Sequence, residues 1–247
     1  MKVSNVELEK SYNDRDRDYR HITLDNDLDV TLVSDPSTEK AAACVDVRVG
    51  SMQNEDVLGL AHFLEHMLFL GTKTFPDEKE YNVFLNQNGG GSNAYTTSED
   101  TVYFFDITSD HLDGALARFA AFFICPLFTE SAVSREMNAV DSENSKNLQT
   151  DAWREDMLLS SLARSDHPYS KFSTGNLATL EGDEIDARGK CIKFHERYYS
   201  SNVMKACIYG KESLDDLEKM AVKYFAEIPN KGLDGPPSVP SDPYTQA

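Results

Sequence analysis

Residues 58–71 read Leu-Gly-Leu-Ala-His-Phe-Leu-Glu-His-Met-Leu-Phe-Leu-Gly, an apolar run broken by three polar side chains, His62, Glu65 and His66. No other stretch constrains the chain as tightly. As a helix, residues at i and i+4 lie one above the other on one face, so both imidazoles can approach a single ion. The i+3 position brings the Glu65 carboxylate beside them. Three polar groups inside an apolar helix need a partner, and a shared cation is one that suits all three.

The spacing His-x-x-Glu-His is the inverted zinc-peptidase pattern. Neutral imidazole is a good zinc ligand, and a catalytic zinc keeps a water that it acidifies towards neutral pH. A nearby carboxylate can take that water's proton. His62 and His66 are therefore candidate ligands, and Glu65 is the candidate base. A zinc held by two imidazoles still needs a third protein ligand. A polar helix expected over residues 130–148 carries Glu136 and Glu143 seven residues apart, two turns, on one face. Spacing alone does not select either of them.

The alternation of residues 28–33 and again of 45–49 predicts two strands, which would pair as an antiparallel hairpin. The motif helix ends at Gly71, and a short helix carries Tyr81, Phe84 and Leu85 up to Gly89-Gly90-Gly91. That triple glycine lacks the Lys-Ser/Thr of a phosphate loop and reads as a turn. Two β-rich segments, 92–97 and 101–107, follow it. Further helices are expected over 111–125, 153–163, 185–199 and 214–228, the last with a stripe of Leu217, Met220, Val222 and Phe225, and a strand over 203–209. The aromatic residues of 111–125 read as core, and His21, His111, His167 and His195 as isolated.

Composition matters chiefly for partners. With 42 acidic against 24 basic residues and a net charge of −18, nucleic acid is disfavoured, and basic or neutral partners are favoured. Four dispersed cysteines with no Cys-x-x-Cys pair read as reduced core thiols. No secretory signal and no apolar run of membrane-spanning length is present, so the expectation is a cytoplasmic protein that does not engage a membrane.

Several motifs in order carry a resemblance: His62-Phe63-Leu64-Glu65-His66-Met67-Leu68-Phe69-Leu70-Gly71-Thr72, Gly91-Ser92-Asn93-Ala94-Tyr95-Thr96, Asn138-Ala139-Val140-Asp141-Ser142-Glu143, Asp151-Ala152-Trp153-Arg154 and Ser170-Lys171-Phe172-Ser173-Thr174-Gly175-Asn176. Together they resemble the insulinase/pitrilysin zinc metallopeptidases from about residue 19 to 230. The resemblance implies an α+β fold, a mostly antiparallel sheet packed by helices, of the processing-peptidase-like metallohydrolase type. It implies Zn2+ as cofactor, Glu143 as third ligand and Glu136 as a supporting acid near the site. Asn93, Ala94 and Tyr95 would lie on an edge strand to which an extended peptide adds, with Phe69 and Trp153 near the substrate pocket. The expected function is a zinc endopeptidase cleaving small peptides. A catalytically weak or silent peptide-binding domain that needs a C-terminal half is the alternative. The expected layout is a flexible arm over 1–18, a peptidase domain over 19–230 as the first of four, and an interdomain linker over 231–247.

Overall fold

A computed structural model describes residues 2–4, 10–182 and 185–244. Its centre is a seven-stranded sheet with the order β1-β2-β3-β7-β4-β6-β5. The strands are β1 (Lys2–Ser4), β2 (Asp18–Thr23), β3 (Asp29–Ser34), β4 (Lys40–Val47), β5 (Gly91–Thr96), β6 (Thr101–Thr108) and β7 (Met204–Gly210). All neighbours pair antiparallel except β3 with β7, which run parallel. Alternation decides which face is covered: in β4, Ala41, Ala43, Val45 and Val47 are buried, while Ala42, Cys44 and Asp46 are only half-buried. Helices cover the first face and leave the second partly open.

The helices are α1 (Leu60–Leu68), α2 (Glu80–Gln87), α3 (Leu112–Ile124), α4 (Glu130–Asn147), α5 (Asp151–Ser161), the single turn α6 (Leu177–Leu180), α7 (Ala187–Tyr198) and α8 (Leu214–Phe225). Phe119, Phe122 and Phe123 of α3 are enclosed, and Phe119 meets Phe105 and Phe123 meets Tyr103 of β6 edge to face, at ring separations of 5.1 and 5.5 Å. These aromatics are core, as their spacing suggested. In α8 the buried stripe is Leu217, Ala221 and Phe225, and Val222 faces solvent. The strict i, i+4 repeat decided that face.

Three expectations are corrected. The segments 28–33 and 45–49 do not form a hairpin, because β7 lies between β3 and β4 and pairs with both. A strand arriving about 170 residues later in the chain satisfies backbone groups on both sides. The segment read as a loose arm over 1–18 contains strand residues: Lys2–Ser4 pair with β2, and Asp18 already belongs to β2. The free backbone edge of β2 recruits these residues without any hydrophobic pattern. Residues 1 and 5–9 of that arm lie outside the described residues. Finally, of the four cysteines only Cys191 is fully buried, and Cys44, Cys125 and Cys207 are half-exposed.

The segment expected as a linker runs over the surface without regular structure and is held at several points. His167 Nδ1 accepts from the Tyr169 N–H, so its Nε2 carries the proton and donates to the Pro240 carbonyl at 2.9 Å. Arg164 N–H donates to the Pro243 carbonyl at 2.7 Å. Residues 245–247 of this segment lie outside the described residues. No helix among the described residues is long and apolar enough to cross a membrane.

Candidate active site

Helix α1 is seated by contacts far away in sequence. The buried Asn54 carboxamide oxygen accepts from the Ala61 N–H at 2.8 Å, satisfying one of the helix's orphan donors. Gly59 precedes the helix at φ +86°, and Gly175 at φ +82° lies directly against it: a Cβ added to Gly59 would come within 2.2 Å of Gly175 Cα. That backbone contact presses the loop of 173–176 onto the helix start. The Thr174 carbonyl then accepts from His62 Nδ1 at 2.8 Å.

Helix α4 lies alongside α1. Val140 is buried, and Glu136 and Glu143 sit one turn before and after it on the same face. Glu143 Oε2 is 3.6 Å from Nε2 of both His62 and His66, and the two Nε2 atoms are 3.3 Å apart. On the far side of its ring, His66 Nδ1 meets Glu136 Oε2 at 3.4 Å. Glu65, 7% exposed, receives a 2.6 Å hydrogen bond from the Thr96 hydroxyl on β5.

The electrostatics follow from burial and from these partners. Burial raises the Glu65 carboxyl above the ordinary glutamate value, opposed by the Thr96 hydroxyl and the two imidazoles and helped by the charge of Glu143. Burial also works against a charged His66, but hydrogen bonds to Glu136 and Glu143 overcome it and raise this imidazole to about 9. Glu143 is held below its usual range, first by its hydrogen bond to His66.

The donor set fits a metal ion. Each imidazole offers its Nδ1–H to an acceptor, the Thr174 carbonyl or the Glu136 carboxylate, which leaves both Nε2 lone pairs facing one carboxylate oxygen. Such an arrangement calls for shared positive charge, a proton or a cation. The 3.3 to 3.6 Å separations match the roughly 3.4 Å between ligands of a tetrahedral zinc with bonds of about 2.0 to 2.1 Å. Among the described residues, His62, His66 and Glu143 are the one such group of three.

A cleft of about 610 Å3 opens over this group, and its walls include Asn93, Ala94 and Tyr95 of β5, Phe69, and Trp153 of α5. Strand β5 is the last of the sheet, so its outer edge is free among the described residues. The Asn93 side-chain oxygen accepts from the Ala94 N–H at 3.0 Å. Phe69 both lines the cleft and packs on Phe122 at 5.2 Å, whereas Trp153 is 41% exposed and is no part of the core. The structure thus gathers every residue singled out from the sequence into one place. Reading the sequence missed the roles of Thr96, Thr174 and Asn54. Thr96 and Thr174 stood inside quoted motifs, but their contacts depend on strand and loop placement that no local spacing reveals.

A family model described as "Insulinase (Peptidase family M16)" matches residues 29–166, more than half of the chain and all of His62, Glu65, His66, Glu136 and Glu143. The chain belongs to the insulinase family of peptidases. A second model, "Peptidase M16 inactive domain", matches residues 188–247, the part of the chain that supplies β7. The chain is 50% identical over 242 residues to the insulin-degrading enzyme of Bos taurus, covering 96% of this chain and 24% of that relative. It is also 50% identical over 236 residues to a putative zinc protease of Schizosaccharomyces pombe, covering 93% of the chain and 24% of that relative. Among solved structures, the crystal structure of pitrilysin superposes with a TM-score of 0.92 at 36% identity, over 97% of this chain and 26% of that one. The insulinase-family chain therefore spans about a quarter of the length of the curated relatives it matches.

Proposed function

We propose that this chain is the zinc-binding, peptide-hydrolysing domain of a longer endopeptidase, with His62, His66 and Glu143 as ligands and Glu65 as general base. The observation that carries this reading is the triangle of two Nε2 atoms and one carboxylate oxygen, with both Nδ1 atoms already engaged. A zinc ion held there would act as a Lewis acid, polarising a peptide carbonyl and lowering the pKa of water.

The chain's own residues account for the rest. Glu65 takes the proton of the attacking water on its carboxylate and passes it to the leaving amine, and burial tunes it for both transfers. Thr96 fixes the orientation of that carboxylate, and Glu136 and the Thr174 carbonyl fix the tautomers of His66 and His62. Asn93, Ala94 and Tyr95 hold the substrate backbone along the free edge of β5, which suits peptides of varied sequence. Phe69 and Trp153 contact its side chains across the cleft. In this reading residues 19–230 are the peptidase unit and 231–247 lead on to further domains, which complete the substrate chamber.

Metal content and cleavage of a quenched peptide, measured together on the parent and Glu65→Gln, test the proposal. One zinc per chain in both proteins is expected, with cleavage by the variant reduced at least about 100-fold. Equal activity in the two would remove Glu65 from the base role, and absence of zinc from the parent would remove the ligand set. Where the parent binds zinc but cleaves slowly, addition of the remaining part of the protein is expected to raise the rate.

A further inference from the structure

On the face of the sheet that the helices leave open, Cys44 of β4 and Cys207 of β7 are directly opposite one another in antiparallel register. Residues so placed have Cα atoms about 4.5 to 5.5 Å apart, within the roughly 4.4 to 6.8 Å that a disulfide spans. Both cysteines are part-buried and unbridged. They border a shallow groove of about 520 Å3 whose walls include Ala42, Phe104 and Tyr209. Tyr209 is tied back by its hydroxyl to Asp35 at 2.9 Å, and Ala42 is too small to shield the sulfurs. The groove lies across the sheet from His62, Glu65 and His66.

We propose that Cys44 and Cys207 form a dithiol modification site, closed into a reversible cross-strand disulfide by small-molecule disulfides of the glutathione type. In the first step the Cys44 thiolate attacks one sulfur of the small disulfide, forming a mixed disulfide and expelling one small thiolate. Cys207 then gives up its proton to solvent and attacks the Cys44 sulfur, expelling the second small thiolate. Two protein thiols lose two electrons in total, and one small disulfide gains them as two thiols.

The pair is built for that order of events. Hydrogen bonding from Cys207 lowers the Cys44 thiol to about 7, against burial and the charge of Asp46, so Cys44 is the thiolate that attacks first. Cys207 is pushed up by the same hydrogen bond and by burial, and it becomes reactive only once Cys44 has been capped. Cys191, fully enclosed, has its thiol raised by burial and remains inert. Cross-strand Cβ separations of about 4.5 to 5.5 Å exceed the usual disulfide value of about 3.8 Å, so the bond pulls the strands together and is readily reduced.

The test incubates the whole native chain with glutathione disulfide, blocks remaining thiols with an alkylating agent, and digests it with trypsin. Cleavage after Lys40, Arg48, Lys205 and Lys211 releases each cysteine on its own peptide, 41–48 and 206–211. The expected result is loss of two of the four thiols, a linked 41–48/206–211 pair, and recovery of both thiols with a small dithiol reductant. Cys207→Ser, which keeps a hydrogen-bond donor beside Cys44 but cannot close the disulfide, should instead retain a stable glutathione adduct on Cys44, and its circular dichroism should match the parent. Separate glutathione adducts on both cysteines of the parent, no reaction at either, or linkage only after denaturation would each overturn the proposal.

Discussion

The Glu65 carboxylate sits between opposing influences: burial raises its pKa, and the Thr96 hydroxyl at 2.6 Å lowers it. Thr96→Val keeps the shape of that side chain and removes the hydrogen bond, so the carboxyl should hold its proton to higher pH. A base works only when deprotonated, so the acid limb of the pH–rate profile is expected to move up. kcat at neutral pH should fall roughly tenfold, the worth of one charge-assisted hydrogen bond. An unmoved acid limb with unchanged zinc content would show that Thr96 does not tune Glu65. At this scale the candidate site was legible only where chemistry is local. His62, Glu65 and His66 share one helical face, and i, i+3, i+4 spacing displays that in a single line of sequence. Glu143 came from the likeness of a whole motif, since nothing local distinguishes it from Glu136. Thr96 could not be chosen because its role depends on where β5 lies against α1.

Among the elements, α1 depends most on how it is seated. Gly59 and Gly175 are both in left-handed backbone conformations and in contact, and that contact places the Thr174 carbonyl on His62. In Gly59→Ala the new methyl would meet backbone, which cannot swing aside as a side chain does. A stability loss of about 1–3 kcal/mol is expected by thermal or urea denaturation. Metal affinity, measured by competition with a chelator, should fall about 10- to 100-fold as the Thr174 contact with His62 is lost. Unchanged affinity together with lower stability would limit the glycine pair to a folding role. Several elements could be placed from periodicity, including α3, α8 and β3, because each buries a regular face. The pairing of β3 with β4 could not, since adjacency in sequence favours a hairpin and the insertion of β7 is a non-local event. Strand β2 was overlooked for a related reason: apart from the buried Ile22 its residues are mostly polar and part-buried, so the alternation is faint.

Across the whole molecule, the buried His195 makes stability depend on pH. Its ring is enclosed by Tyr199, stacked at 4.8 Å, and Phe128, while the Lys231 ammonium donates to its backbone carbonyl. Burial first, and then the charge of Lys231, lower its pKa to about 3, and its Nε2 has no hydrogen-bond partner. The unfolded chain therefore binds one more proton than the folded chain between the ordinary histidine pKa of about 6.5 and about 3. Stability is full above that window and falls as pH drops through it, by about 1.4 kcal/mol per pH unit. Urea denaturation between pH 6.5 and 5, above most carboxylate titration, should show this slope in the parent and a flatter one in His195→Phe. Equal slopes would mean that the ring is protonated in the folded state. Isolation in sequence said only that His195 lacks a local partner, and burial is what gives it an energetic role.

The sequence by itself determined the strongly periodic features: the helices α1, α3 and α8, the strand β3, and that two imidazoles and a carboxylate share one turn of α1. These are set by distances of a few residues along the chain, where backbone geometry is nearly invariant. Only the tertiary structure decided the non-local placements. Strand β7 enters between β3 and β4, Glu143 stands opposite both Nε2 atoms, Thr96 reaches Glu65, and Cys44 faces Cys207. Each of these joins residues dozens to more than a hundred positions apart, and such contacts arise from packing the apolar faces together and satisfying the backbone, which no short window of sequence contains.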